Sequence, residues 1–116
     1  GGVMPRIAVD VPLSDEMRIT MGDDTFQVLL TPGHSIGSLC LYDKEQGVLF
    51  SGDTVFASGG FGRYDFPGGD FQLLLHSIER LAGLSIVRLY PGHGPVVETQ
   101  GATHVLKSLQ NIRSLM

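Results

Sequence analysis

The apolar positions of this 116-residue chain change period several times, and each change marks an element. Apolar and polar residues alternate through Met17 to Thr20 and again through Thr25 to Thr31, on either side of Met21-Gly22-Asp23-Asp24. That pattern predicts two strands joined by a turn. A second pair is predicted at Leu39 to Asp43 and Gly47 to Ser51, linked through the polar residues between Asp43 and Gly47. From Val55 to Gly69 glycines and aromatics follow one another without a period, as a long shaped loop would have them. The period then becomes helical. Phe71, Leu74, Leu75, Ile78 and Leu81 share one face, Asp70 stands ahead of them as a cap, and Gly83 ends the run. Ser85 to Tyr90 predicts a strand ending at Pro91, and Thr103 is placed to cap a last helix whose Val105, Leu109, Ile112 and Met116 share a face. The first fifteen residues add only a short apolar run from Ile7 to Val11 that fits a strand. Strands, then helix, strand and helix, without a repeat or linker, predict one domain of α/β (α+β) class over residues 1–116.

Composition narrows the partners. A formal charge of −4, with eight Lys and Arg scattered along the chain, argues against a general nucleic-acid or anionic-membrane surface. No apolar stretch approaches the roughly 20 residues of a membrane span, and the N-terminus lacks the basic region and apolar block of a signal peptide. The single cysteine, Cys40, cannot form an internal disulfide, so a reducing cytoplasm is the expected compartment. Its place in the alternating run Ser38-Leu39-Cys40-Leu41-Tyr42 makes it a small core residue rather than a nucleophile.

Three short segments carry the chemistry. Thr31-Pro32-Gly33-His34-Ser35, Ser51-Gly52-Asp53-Thr54 and Pro91-Gly92-His93-Gly94 each set an imidazole or carboxylate in a glycine-framed turn after an apolar run. Those are donors that zinc accepts, and glycine lets backbone approach an ion closely. Taken singly, a histidine after Pro-Gly is as readily a solvated turn residue; three such turns together point to a metal site assembled from separate loops. No second cluster of histidines and carboxylates is present to complete a two-metal centre. His76 falls off the apolar stripe of the first helix and His104 opens the last one, so both are expected to face solvent. Arg63 is placed to pair with Asp65 or Asp70 or, as the resemblance of these segments to a known family suggests for a basic residue here, to meet an anionic substrate tail.

The order of those segments resembles that of metallo-β-lactamase-fold hydrolases, in their C-terminal half. Gly62-Arg63-Tyr64-Asp65-Phe66 and Pro67-Gly68-Gly69-Asp70 are most similar to the glyoxalase II-like branch, which includes hydroxyacylglutathione hydrolases and persulfide dioxygenases. The resemblance implies half of an αββα sandwich, one mixed sheet with helices on one face. It also implies that His34 belongs to a first metal site, that Asp53 is the catalytic carboxylate bridging two metals, and that His93 belongs to the second site. The ions are zinc, with iron or manganese as alternatives, and Ser35, Thr54 and nearby carbonyls are the groups expected to hold the ligand imidazoles. The remaining ligands of the family lie in a His-x-His-x-Asp-His motif that this sequence does not contain. A tyrosine expected two positions after the first histidine is replaced by Ile36. The activity implied is thioester hydrolysis of a small molecule by metal-activated water once the fold is complete. An inactive half-domain that self-associates and a single-iron persulfide dioxygenase are the alternatives. A solitary half would leave one apolar sheet face open, so a homo-oligomer or pairing with an N-terminal half is expected.

Overall fold

The computed structural model describes residues 14–35, 38–65 and 67–116. The apolar run at Ile7 to Val11 lies outside them. Five strands form one mixed sheet in the order in which they occur: β1 (Arg18–Met21), β2 (Asp24–Leu30), β3 (Leu39–Asp43), β4 (Val48–Gly52) and β5 (Arg88–Pro91). The first four pair antiparallel as a meander, and β5 returns parallel to β4 after α1 (Phe71–Ala82). A second helix, α2 (Gly101–Arg113), follows β5.

Alternation along the strands decides what each face buries. Leu29, Cys40, Tyr42, Leu49 and Leu89 project from one face into a core shared with Leu74, Leu75, Ile78 and Leu81 of α1 and Val105, Leu109 and Ile112 of α2. Both helices therefore pack on that face. The opposite face carries Phe26, Val28 and Leu41 with Met17, Ile19, Met21 and Phe50 around them, and no residue of either helix joins this cluster. Phe26 meets Phe50 edge-on at 5.7 Å between ring centroids, and Phe50 stacks on Tyr90 at 5.1 Å. One mixed sheet with helices on a single face is the architecture expected of a half sandwich.

Local chemistry accounts for most element ends. Asp70 caps α1 by accepting a hydrogen bond from the Leu73 amide at 3.0 Å, and Gly83 closes the helix. β1, β2 and β4 are each displaced by one residue from the expected bounds, and larger differences occur at the last strand and the last helix. The last strand begins at Arg88 rather than Ser85, because its partner β4 begins only at Val48, and it takes in Pro91, which an edge strand tolerates. The last helix begins at Gly101, not at Thr103. Gln100 is its cap in a left-handed conformation (φ 55°), and the Gly101 and Ala102 amides donate to the Val87 and Ile86 carbonyls at 2.8 and 2.9 Å, so no capping side chain is required. Met116 lies beyond the helix and is exposed, so only Val105, Leu109 and Ile112 of the expected stripe are core. The long loop also has structure of its own, a 3-10 turn at Ala57–Gly59 closed by an isolated bridge between Val55 and Phe61.

Candidate metal centre

Strand direction brings the three turns together. β2 and β4 each run antiparallel to β3, and β5 runs parallel to β4, so β2, β4 and β5 all end at the same rim of the sheet. His34 follows β2, Asp53 follows β4 and His93 follows β5. At that rim His93 Nε2 lies 3.1 Å from Asp53 Oδ1, and His34 Nε2 lies 3.7 Å from Asp53 Oδ2. The two imidazoles thus face opposite oxygens of one carboxylate. His34, Asp53 and His93 line an open cleft of about 250 Å³ together with Phe56, Phe61, Gly62 and Arg63.

Close backbone approach makes this geometry possible. Gly33 has φ 131°, and a Cβ there would overlap the backbone of Leu74, so the His34 turn rests directly on the start of α1. The Asp70 amide donates to the Gly33 carbonyl at 2.7 Å, and the Ser77 hydroxyl donates to the Pro32 carbonyl at 2.7 Å. On the other side the Gly92 amide donates to the Gly52 carbonyl at 2.7 Å, which locks the His93 turn to the Asp53 turn. Gly62 lies over both His34 and Asp53. A Cβ on it would overlap the Asp53 carbonyl oxygen and stand 3.0 Å from His34 Nδ1.

Each ring nitrogen of His34 has a distinct environment. Nδ1 lies 2.9 Å from the Arg63 carbonyl, which can only accept, so in the neutral ring Nδ1 carries the proton and Nε2 presents its lone pair toward Asp53. That is how metal-ligating histidines are ordinarily oriented. The holding group is a backbone carbonyl, as one of the expectations had it. Ser35 and Thr54 are engaged elsewhere: the Ser35 hydroxyl lies 2.9 Å from that of Ser38, and the Thr54 hydroxyl 3.0 Å from that of Thr31. Gly62 and the Arg63 carbonyl went unnoticed in the sequence, because a glycine in a glycine-rich loop has no local mark of what it approaches.

Other singled-out residues take definite places. Arg63 Nε pairs with Asp65 at 3.1 Å, both side chains well exposed, and the guanidinium holds the Asp65 carboxyl below its usual range. Asp70 caps α1 instead of pairing with Arg63. Cys40 is fully buried, and burial pushes its thiol up to about 11, so it stays protonated at neutral pH and is no nucleophile. His76 is exposed as expected. His104 is not simply solvent-facing; it is partly buried, and its Nδ1 accepts the Ser58 amide at 2.7 Å.

The donors at the rim, two imidazoles and a carboxylate, suit a zinc- or iron-type cation. Among the described residues no three His, Cys, Asp or Glu side chains are grouped to close on one ion, and the two histidines lie against opposite oxygens of Asp53. Nor, among those residues, is any helix long and apolar enough to cross a membrane.

The mixed sheet thus gathers two imidazoles around one carboxylate at the rim where β2, β4 and β5 end. The chain belongs to the metallo-beta-lactamase superfamily, whose family model matches residues 1–93. It is 43% identical over 101 residues to the probable metallo-hydrolase YqgX of Bacillus subtilis, covering 81% of this chain and 47% of that protein. It is 41% identical over 71 residues to the hydroxyacylglutathione hydrolase GloC of Haemophilus influenzae, covering 60% of this chain and 33% of that one. Among solved structures, TTHA1623 in a di-iron-bound form superposes with a TM-score of 0.67 at 40% identity, covering 92% of this chain and 48% of that one. The chain therefore spans less than half the length of these relatives.

Proposed function

We propose that this chain supplies the second half of a two-metal hydrolytic centre, with thioesters of small molecules as its substrates. His34 and one oxygen of Asp53 would hold the first ion, and the other oxygen of Asp53 and His93 the second. The observation that carries this reading is the placement of the two Nε2 atoms on opposite oxygens of one carboxylate, 3.7 and 3.1 Å away. Ions so held would lower the pKa of a water and polarise an acyl carbonyl. Zinc is the proposed metal, with iron supported by the di-iron form of TTHA1623. A single-iron dioxygenase fits less well, because one ion on His34 and Asp53 would leave His93 Nε2, 3.1 Å from the other carboxylate oxygen, without a part to play.

The chain's own residues do the positioning. The Arg63 carbonyl keeps His34 Nε2 aimed at Asp53, and Asp53 would offer one oxygen toward each of the two histidines' ions. Phe56 and Phe61 give the cleft an apolar wall suited to an acyl chain, and exposed Arg63 stands beside it for an anionic tail. The thioester preference is supported by the likeness to GloC. The remaining ligands of the proposed centre are absent from this sequence and are proposed to come from an N-terminal half of the fold.

The test compares hydrolysis of an acyl-thioester and a β-lactam by this chain with added zinc, iron or manganese, alone and mixed with the N-terminal half of YqgX. Metal-dependent thioester cleavage that appears only in the mixture is expected. Cleavage of the β-lactam in preference to the thioester would overturn the substrate class, and robust turnover by the chain alone would overturn the dependence on a partner.

A further inference from the structure

His34 and Asp53 do not follow neighbouring strands. β3 lies between β2 and β4, so strand spacing alone would hold the two turns roughly 10 Å apart. The His34 turn must bend over the start of β3 to reach Asp53, and something must hold it there. The contacts from α1 to Pro32 and Gly33 fix the turn against the helix rather than toward β4. Directly under the bend lies a small polar cluster in otherwise apolar surroundings. Thr31, Cys40, Ser51 and Thr54 are all fully buried.

Their contacts join the three segments. Thr31 Oγ1 lies 3.0 Å from Thr54 Oγ1 and 3.4 Å from Cys40 Sγ. Cys40 Sγ in turn lies 3.6 Å from the Ser51 carbonyl and 3.8 Å from Thr54 Oγ1. One assignment of protons satisfies every group: Thr54 donates to Thr31, Thr31 to Cys40, and the Cys40 thiol to the Ser51 carbonyl. Among the described residues no buried side-chain oxygen or nitrogen is left without a partner. Hydrogen-bonded hydroxyls buried in a core fix a separation more sharply than apolar contact does, since each loses its full hydration if the pair parts.

We infer that Thr31 and Thr54, seated on Cys40, are positioning residues that draw the His34 turn across β3 and set its distance from Asp53. The inference rests on the metal reading of His34, Asp53 and His93 for its functional consequence, but not for its geometry. Gly62 offers a reporter free of metal: its amide donates to the Thr54 carbonyl at 3.1 Å, so it moves with the Asp53 turn, while it lies against the side chain of His34.

The experiment uses the chain as it stands, in three versions: the parent, Thr31→Val/Thr54→Val, and Thr31→Ser/Thr54→Ser. Valine keeps shape and removes both hydroxyls together, so no lone hydroxyl is stranded and the melting temperature should stay near that of the parent. The NOEs between His34 β-protons and Gly62 α-protons should nonetheless weaken or vanish, and zinc affinity measured by calorimetry should fall about tenfold. The serine pair should keep both. Unchanged NOEs in the folded valine pair would overturn the inference, and so would their loss in a folded serine pair, since methyl packing would then be doing the positioning. If the valine pair does not fold, the serine pair still decides by that second criterion. A parent chain whose His34 and His93 resonances ignore zinc would sink the metal reading alone, leaving the NOE comparison to judge the positioning.

Discussion

Gly62 shows how much a single missing side chain can govern. It is the point where the long loop touches both the Asp53 carbonyl and the His34 ring, and it leaves no room for a Cβ at the first and only a tight fit at the second. Gly62→Ala must push the loop off the rim or part the two turns. Overpacking of this kind costs about 1–3 kcal/mol, so denaturant unfolding should show a loss of that order. Zinc affinity should fall with it, as His34 loses the Arg63 carbonyl that orients its ring. A variant as stable as the parent, with unchanged zinc binding, would contradict this account. Gly62 could not be read from the sequence, whereas His34, Asp53 and His93 could. The three turns have a recurrent local form, while the importance of Gly62 comes from residues well before it in the chain, Asp53 and His34.

At the scale of elements, α2 does more than cover the sheet. His104, Ser108 and Asn111 lie along one side of it, and each holds the loop beneath: His104 accepts the Ser58 amide, Ser108 donates to the Gly60 carbonyl at 2.8 Å, and Asn111 donates to the Gly59 carbonyl at 2.9 Å. The loop so pinned carries Phe56 and Phe61, the apolar wall of the cleft. His104→Ala should speed hydrogen exchange at the Ser58 amide and cost about 1 kcal/mol, the usual worth of one such bond. Exchange there at the parent rate would show that the bond does not hold the loop. The periodicity of α2 revealed its apolar stripe but not this polar one, because its partners lie 46 to 52 positions away. The start of the same helix leaves no mark in the sequence for a similar reason, its first amides being satisfied by the Val87 and Ile86 carbonyls.

A second link between elements sets a pH dependence. Asp15 accepts from Arg80 of α1 at 2.7 Å and from the Leu30 amide at the end of β2 at 2.9 Å. The bond from Arg80, ahead of that from Leu30, holds the Asp15 carboxyl below its ordinary value although burial opposes it. The folded chain thus keeps Asp15 ionised to lower pH than the unfolded chain does. Its stabilising contribution is complete above about pH 4, where the unfolded carboxyl is also ionised, and is lost as pH falls through the folded value. Both partners are partly exposed, so the effect belongs with surface ion pairs. In urea unfolding across a pH series, Asp15→Asn should be less stable than the parent near neutrality, with the gap closing below about pH 4. A gap that is constant across the series would rule out this titration as its source.

For the molecule as a whole, strand direction explains why the site was legible as a set. Turns 19 and 40 positions apart meet because β2, β4 and β5 end at one rim, and the strand-then-glycine form of each turn already pointed to a shared edge. The sheet's second face, with Phe26, Phe50 and Tyr90 in a row and no described helix upon it, is where the proposed partner half or second copy would pack. Light scattering should then give a mass above the 12.5 kDa of one chain. A monodisperse single-chain mass without binding of a hydrophobic dye would remove that part of the proposal.

The same strand polarity leaves the far end of the sheet to plain hairpins. The β1–β2 connection turns on Gly22, with φ 62° and open space where a side chain would be. A fluorophore or an affinity handle at Asp23, with Gly22 kept for its turn, would hang from the end of the sheet opposite the histidines, so the molecule can be tethered or tracked there while its working rim stays clear.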